Sequence, residues 1–269
     1  LGALGMLAAL LLGLRRWWLG LAVGAACLLP TRSAPDVPRV TFLDVGQGDA
    51  ALVELPDGRR ILVDGGASAT QVASWLRRTR VRHLDLVVSS HAERDHEGGL
   101  PEVLRSVRVD ELWATEPSDA LREAAADRGV PIVGTDASWL SPDPGDQGSA
   151  NDLSVVLALG GVLFTGDIDE EAELRVAART DPLPVLKVPH HGSRTSSSDA
   201  LLDAVQPRLA IVSVGRDNPY HHPHDDVLSR LASDGVTVVR TDEEGTVVVE
   251  VAPHELRVRT RQRHVVIPR

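Results

Sequence analysis

From residue 40 onward, short and densely apolar runs alternate with stretches whose apolar residues recur at helical spacing. RVTFLDV reads as a strand, and DAALVELPDGRRILVDGG as a hairpin about the turn signal Pro56-Asp57-Gly58. SATQVASWLRR follows as a helix that Ser68 or Thr70 can cap, then HLDLVVSS as an apolar strand and GGLPEVLRSV as a helix. DELWAT, SDALREAAADRG and VPIVGT continue as strand, helix and strand, ahead of a polar, Gly- and Pro-rich loop at 141–151. LSVVLALGGVLFTGD is a second hairpin, joined by Gly160-Gly161, a pair that tolerates positive φ. DEEAELRVAA, SSDALLDAV and DDVLSRLASDG read as helices, LPVLKVPHHGS and LAIVSVG as buried strands, and VTVVRTDEEGTVVVEV as a closing hairpin. Two sheet segments, each followed by helices, predict an α/β fold in which two sheets pack face to face under outer helices.

Residues 1–30 break this grammar. Two continuously apolar pieces flank Arg15-Arg16-Trp17-Trp18, each shorter than the roughly 20 residues that cross a bilayer as a helix. They are expected to be an apolar membrane segment, the end of a membrane region cut by the start of the chain. A signal-like stretch or a buried hairpin is the alternative. Residues 31–39, with two prolines beyond Pro30 and no periodicity, read as a linker. One domain is expected over 40–252, and the Arg-rich residues 253–269 as a solvated basic tail.

Composition narrows the function classes. The apolar fraction of 43% supplies an ample core, and a single cysteine, Cys27, excludes an internal disulfide framework. A formal charge of −10 argues against holding nucleic acid on a broad basic surface, but not against meeting a phosphodiester through bound cations. Lys187 is the one lysine among 28 basic residues, a usage that reads as compositional bias toward Arg.

The chemistry gathers where strands end. HAERDH places His91, Glu93, Asp95 and His96 in six positions directly after VVSS. His91 and Glu93 can serve one metal and Asp95 and His96 a second, the arrangement a binuclear hydrolase needs. Asp167 ends FTGD, where a carboxylate can bridge two cations or cap the next helix. His190 and His191 end the following strand, and His221, His222 and His224 lie on a Pro-rich loop. Asp64, after ILV, is placed to hold a ligand histidine by its other ring nitrogen.

DVGQGDAALV, ILVDGG, HAERDHEGG, FTGD, LKVPHHGS and NPYHHP occur in an order and spacing that resemble the metallo-β-lactamase superfamily. More narrowly, they resemble the C-terminal domain of ComEC-type DNA-internalisation competence proteins, over essentially all of residues 40 to 250. The resemblance implies an αββα sandwich with two divalent metal ions at one edge of the sheets. By position it implies His91, Glu93, Asp95, His96, Asp167 and His222 as metal ligands, with Asp95 and His191 acting in catalysis. His191, or alternatively His190, would assist the leaving group or orient substrate. Asp64 and His190 would support the ligands, Ser193 and Asn218 would contact substrate, and Asp44 and Asp49 would shape the loop. Glu93 stands where many members have histidine, and Asn151-Asp152 where many supply another histidine. Oxygen in place of imidazole favours Mn²⁺ over Zn²⁺ or Mg²⁺.

The resemblance further implies a nuclease that degrades the non-imported strand during DNA uptake. Its partners would be single-stranded DNA, the membrane through the N-terminal segment, and the channel region of the same longer chain. Its place would be the cell membrane, with the domain outside the cytoplasm. A cell-surface hydrolase of a lactone or small phosphodiester, or a non-catalytic module that steers DNA, remain alternatives.

Overall fold

The computed structural model describes residues 33–134, 139–143, 146 and 148–269, and the fold is that of the unit Ala34–Arg269. The apolar segment expected over 1–30 lies outside the described residues. Among those residues no helix is long and apolar enough to cross a membrane.

The chain opens with strands β1 (Arg39–Phe42), β2 (Ala51–Glu54) and β3 (Arg60–Val63), then helix α1 (Gln71–Arg78). Strands β4 (His83–Leu84) and β5 (Leu86–Val88) lead to helices α2 (Arg94–Glu97) and α3 (Leu100–Ser106). Next come β6 (Arg108–Val109), β7 (Leu112–Trp113), helix α4 (Asp119–Arg128) and β8 (Ile132–Val133). The second half holds β9 (Trp139–Ser141), β10 (Val156–Leu159), β11 (Val162–Phe164), helix α5 (Glu170–Ala177) and β12 (Val185–Lys187). Helix α6 (Asp199–Val205), β13 (Leu209–Val212), helix α7 (Asp225–Ser233), β14 (Thr237–Arg240) and helix α8 (Thr241–Glu244) follow. Strands β15 (Val247–Val251), β16 (Glu255–Arg259) and β17 (His264–Pro268) complete the chain.

One sheet runs β17-β16-β15-β1-β2-β3-β5-β7-β8 and a second runs β14-β13-β12-β11-β10-β9. Alternation within a strand builds two cores at once. Ala51 and Val53 of β2 face the layer between the sheets, with Phe42, Ile61, Phe164 and Ile211. Leu52, one residue along, faces the helix-side core with Leu62, Leu76, Leu100 and Leu121. The second sheet repeats the device, with Leu163, Leu186 and Val212 packing under Val176, Leu201 and Leu231. The order of layers is therefore helix, sheet, sheet, helix, as the αββα expectation has it. Both hairpins form as expected: β2 pairs with β3, and β10 with β11 across Gly160 and Gly161, whose φ values are +61° and +82°.

Three expectations are corrected. VTVVRTDEEGTVVVEV is not a hairpin: β14 pairs with β13 in one sheet and β15 with β1 in the other. Four residues at its centre, TDEE, wind into α8, and buried Thr241 donates to the Val214 carbonyl at 3.0 Å and accepts from the Val214 amide at 2.8 Å. That anchors the crossover between sheets. Residues 253–269 are not a solvated tail: β16 and β17 extend the first sheet. Leu256 and Val258 point into the core while Arg257 and Arg259 point out, a period-2 pattern that the arginines disguise. Asp167 does not cap the helix after FTGD; Asp169 does, accepting from the Ala172 amide at 3.0 Å.

Candidate metal centre

Strands β5, β11, β12 and β13 all run parallel to a neighbour, and the residues just past their carboxyl ends meet at one edge of the sandwich. Such ends are where open α/β sheets place their sites. Beyond β5 comes His91, beyond β11 Asp167, beyond β12 His191, and beyond β13 the loop that carries His222.

The approach is built from backbone contacts. The Asp49 amide donates to the Asp95 carbonyl at 3.0 Å, the Gly66 amide to Asp49 at 2.8 Å and the Gly65 amide to His96 at 2.6 Å. Three motifs far apart in sequence are thereby stitched together. Gly48, at φ +121°, is required here, because a Cβ would overlap the Asp95 carbonyl. Asp64, His190 and His191 all adopt positive φ, at +59°, +47° and +53°. For residues other than glycine each such conformation costs on the order of 1–3 kcal/mol, and it aims these side chains inward.

Two imidazoles and one carboxylate form a triangle. His96 Nε2 and His191 Nε2 lie 3.3 Å apart, and each is 3.2 Å from Asp167 Oδ2. Second nitrogens fix both rings. His191 Nδ1 donates to the Ser213 carbonyl at 2.8 Å, and His96 Nδ1 faces Asp64 Oδ2 at 3.1 Å. A carbonyl only accepts, so the proton of a neutral His191 sits on Nδ1 and its Nε2 lone pair faces the triangle. Ligands about 2.0–2.1 Å from a tetrahedral ion sit about 3.3–3.4 Å from one another, which these edges match. Asp49, His96, Asp167 and His191 are all buried and can place ligand atoms within 4.8 Å of one another. Asp95 Oδ2 lies 3.4 Å from His191 Nε2.

A second donor group adjoins the triangle. The His91 ring centroid is 4.1 Å from that of His96, and its Nδ1 meets Ser90 Oγ at 3.0 Å and Ser154 Oγ at 3.4 Å. Among the described residues His91 Nε2, Asp49 Oδ1 and Asn151 Oδ1 are buried without a hydrogen-bond partner. Buried polar atoms left so are costly, and a cation would satisfy them. The donor set therefore fits a divalent metal.

The charges confirm how tightly the groups are coupled. Burial alone would lower His191, but Asp167 and Asp49 outweigh it and lift its pKa to about 9; the same carboxylates raise His96 well above the usual imidazole value. Burial would raise Asp167, yet His191, His96 and Lys187 hold it well below the ordinary range. Asp95 falls to about 2, with His191 and His96 overcoming its burial. For His91 the balance reverses: burial and the neighbouring His96 outweigh the pull of Asp167 and Asp95 and push it down to about 3. His91 is thus a neutral ligand-in-waiting, whereas protons stand on the triangle where an ion would.

Lys187 was not expected here. Its ammonium is buried between the carboxylates of Asp49 and Asp167, 3.5 Å from Asp167 Oδ1, and donates to the Gly166 carbonyl at 3.0 Å. Burial would lower it, but Asp49 and Asp167 raise it, so the charge persists. Lys187 holds one oxygen of Asp167 while the other faces the two imidazoles. The available signal was the retention of one lysine in a chain that otherwise uses arginine.

The triangle opens onto a cleft of about 570 Å³ whose lining includes Glu93, Arg94, Asp95, His190, Tyr220 and His222. The structure thus brings His91, Asp95, His96, Asp167, His191 and Asp64 together, and adds Asp49 and Lys187. Glu93, His190 and His222 line the cleft outside the four-residue cluster. Burial lowers His190, and it brings His222 down to about 4. His191, expected to act on the leaving group, sits among the ligand atoms. Asn218 spends its amide on the loop, donating to the Gly215 and His222 carbonyls at 3.0 and 2.8 Å and accepting from the His222 amide at 3.0 Å. It shapes the wall that carries His222. Ser193 closes the turn after β12, its amide donating to the His190 carbonyl at 2.9 Å.

A family profile described as the metallo-beta-lactamase superfamily matches residues 43–216. The chain is 32% identical over 250 residues to ComE operon protein 3 of Bacillus subtilis (strain 168), covering 77% of this chain and 32% of that protein. It is 33% identical over 246 residues to competence protein ComA of Neisseria gonorrhoeae, covering 87% of this chain and 35% of that protein. The chain therefore spans about a third of the length of these relatives. In fold it is similar to a metallo hydrolase from the archaeon Ignicoccus hospitalis, with a TM-score of 0.54 at 18% identity over 80% of this chain and 100% of that one.

Proposed function

Since the chain belongs to the metallo-beta-lactamase superfamily, we propose that it is a metal-dependent phosphodiesterase that cuts DNA, acting on the strand that is not imported during DNA uptake. The observation that carries this is the triangle of His96 Nε2, His191 Nε2 and Asp167 Oδ2 beside the unpartnered His91 Nε2. The competence proteins among its relatives support DNA as the substrate.

His96, His191, Asp167 and Asp95 would hold one divalent ion, and His91 with the oxygens of Glu93, Asn151 and Asp167 a second. Bound there, the ions supply Lewis acidity and a water acidified toward neutrality. The chain's own residues do the rest. Asp95, kept ionised, accepts a hydrogen bond from whatever hydroxyl enters beside it. Arg94 lines the same wall and offers planar donors to phosphate oxygens. Tyr220, 61% exposed and stacked on His222 at 5.7 Å, offers a face on which a base can rest. The oxygen-rich second group favours Mn²⁺. The domain would work tethered to a membrane, outside the cytoplasm, beside the channel region of a longer chain.

The test is hydrolysis of labelled single-stranded DNA by metal-stripped protein resupplied with Mn²⁺, Mg²⁺ or Zn²⁺. Restoration with Mn²⁺ above the other two is expected. Activity with zinc alone would overturn the metal assignment, and no hydrolysis with any ion would overturn the nuclease.

A further inference from the structure

In a chain of formal charge −10, two short stretches run the other way: Arg77, Arg78, Arg80 and Arg82 around the end of α1, and Arg257, Arg259, Arg261 and Arg263 in and after β16. They are about 180 residues apart in sequence, and the fold brings them together. Arg78 and Arg261 line one pocket of about 400 Å³, with Trp75, Gln71, Asp44 and Thr246. Four of these eight arginines are already engaged: Arg77 meets Glu102, Arg257 and Arg259 meet Glu250, and Arg263 meets Glu244. Arg78 and Arg261 are exposed and, among the described residues, have no carboxylate within 4.0 Å. Trp75 is half-buried, packing against the helix-side core and lining the pocket.

This pocket adjoins the cleft. The segments 43–47 and 67–71 border both: Gln47 and Ala67 line the cleft, and Asp44 and Gln71 line the pocket. Gln71 Nε2 donates to the Asp44 carbonyl at 2.9 Å, so the two segments form one tied ridge. Ala67 and Gln71, four residues apart, are separated by no more than about 14 Å of chain. The one acid in the pocket, Asp44, turns its Oδ1 to the Gly46 amide at 3.3 Å.

We propose that this pocket is a second nucleotide subsite, in which Arg78 and Arg261 hold the phosphates of single-stranded DNA and Trp75 stacks on a base, keeping the strand engaged while the cleft acts on it. The chemistry fits: guanidinium pairs recognise phosphate, and an aromatic face accepts any base. The proposal rests on DNA as the substrate of the adjoining cleft, which is why a strand crossing the ridge is favoured over a membrane headgroup.

The experiment measures binding of a fluorescein-labelled 15-mer of thymidylate to the whole 269-residue chain, by anisotropy across a salt series, next to hydrolysis of a small chromogenic phosphodiester. Arg78→Ala with Arg261→Ala is expected to weaken DNA binding at least tenfold and leave the small diester untouched. Its salt slope should fall by about 1.4, since each phosphate contact to a single strand contributes about 0.7. Trp75→Leu, which keeps the apolar packing, should weaken binding severalfold without changing that slope. Equal binding by wild type and the double variant overturns the subsite, as does a wild type that does not bind the oligonucleotide. Loss of binding to anionic phosphatidylserine vesicles with DNA binding intact also overturns it, in favour of a membrane contact. Failure of the nuclease reads differently: the wild type then binds DNA through Arg78 and Arg261 and hydrolyses neither substrate.

Discussion

Two regions of this molecule are dense in ion pairs, and they behave in opposite ways. At the strand ends Asp49, Asp64, Asp167, His96, Lys187 and His191 are buried and touch one another. On the outer face of β15 and β16, Arg257 and Arg259 reach Glu250 at 3.8 and 3.5 Å with side chains 46% and 58% exposed. Water screens the second group, so each pair there contributes about 0–1 kcal/mol. Removing one partner from the first leaves a buried charge uncompensated, at about 3–5 kcal/mol. A fold has no stability reason to assemble the buried cluster, since well-packed apolar residues would serve as well or better. Its retention is an argument for function.

Substitutions sharpen the contrast. The largest effect belongs to Asp167→Asn, which removes the carboxylate shared by His96, His191 and Lys187. Bound metal, measured by elemental analysis, should fall from the wild-type stoichiometry to near zero, with hydrolysis lost by more than about hundredfold. Lys187→Met comes next. It leaves Asp49 and Asp167 facing each other in the core, and denaturant unfolding of the metal-free protein should show a loss of about 3–5 kcal/mol. Lys187→Arg should not restore it, because a planar guanidinium does not fit the place of a compact ammonium. A fully stable Lys187→Met protein would break the comparison.

Asp64→Asn is milder. It keeps the shape but weakens the hold on His96 Nδ1, and metal affinity should drop about 10–100-fold by titration calorimetry. Smallest of all, Arg257→Ala should shift stability by less than about 1 kcal/mol and leave metal content alone.

Protons and metal compete for the same atoms, which gives the contrast a pH signature. The pKa of His191 is raised from 6.5 to about 9, so its attraction to Asp167 is fully present below pH 6.5 and is lost as pH rises through 9. Metal-free stability should therefore decline over that window. Metal uptake must displace the same protons, so apparent affinity should climb, by about tenfold per unit for each proton released. Calorimetry in buffers of different ionisation enthalpy counts those protons. An affinity independent of pH between 6.5 and 9 would place the metal elsewhere.

Much of this was legible in the residues. The strand-and-helix grammar gave the layers, because apolar runs such as ALV in β2 carry both cores by alternation. HAERDH and FTGD announced their side chains by standing at strand ends. The failures have physical causes. That His191 and not His190 joins the triangle depends on how the loop after β12 turns, with positive φ at both residues, a backbone path that composition does not encode. Asp49 reaches the cluster through a glycine-dependent turn whose partner, the Asp95 carbonyl, lies 46 residues away. Lys187 sits in an apolar strand where a lone charge says nothing until Asp49 and Asp167 are placed around it. Strand β16 escaped because exposed arginines on one face mask the alternation on the other.

The most direct measurement is anomalous diffraction at the manganese edge from crystals soaked in Mn²⁺. A peak between His96 Nε2, His191 Nε2 and Asp167 Oδ2, with a second beside His91 Nε2, is predicted. Ordered side chains in these positions with no peak among them, or peaks confined to surface carboxylates, would contradict the metal centre and the hydrolase built on it.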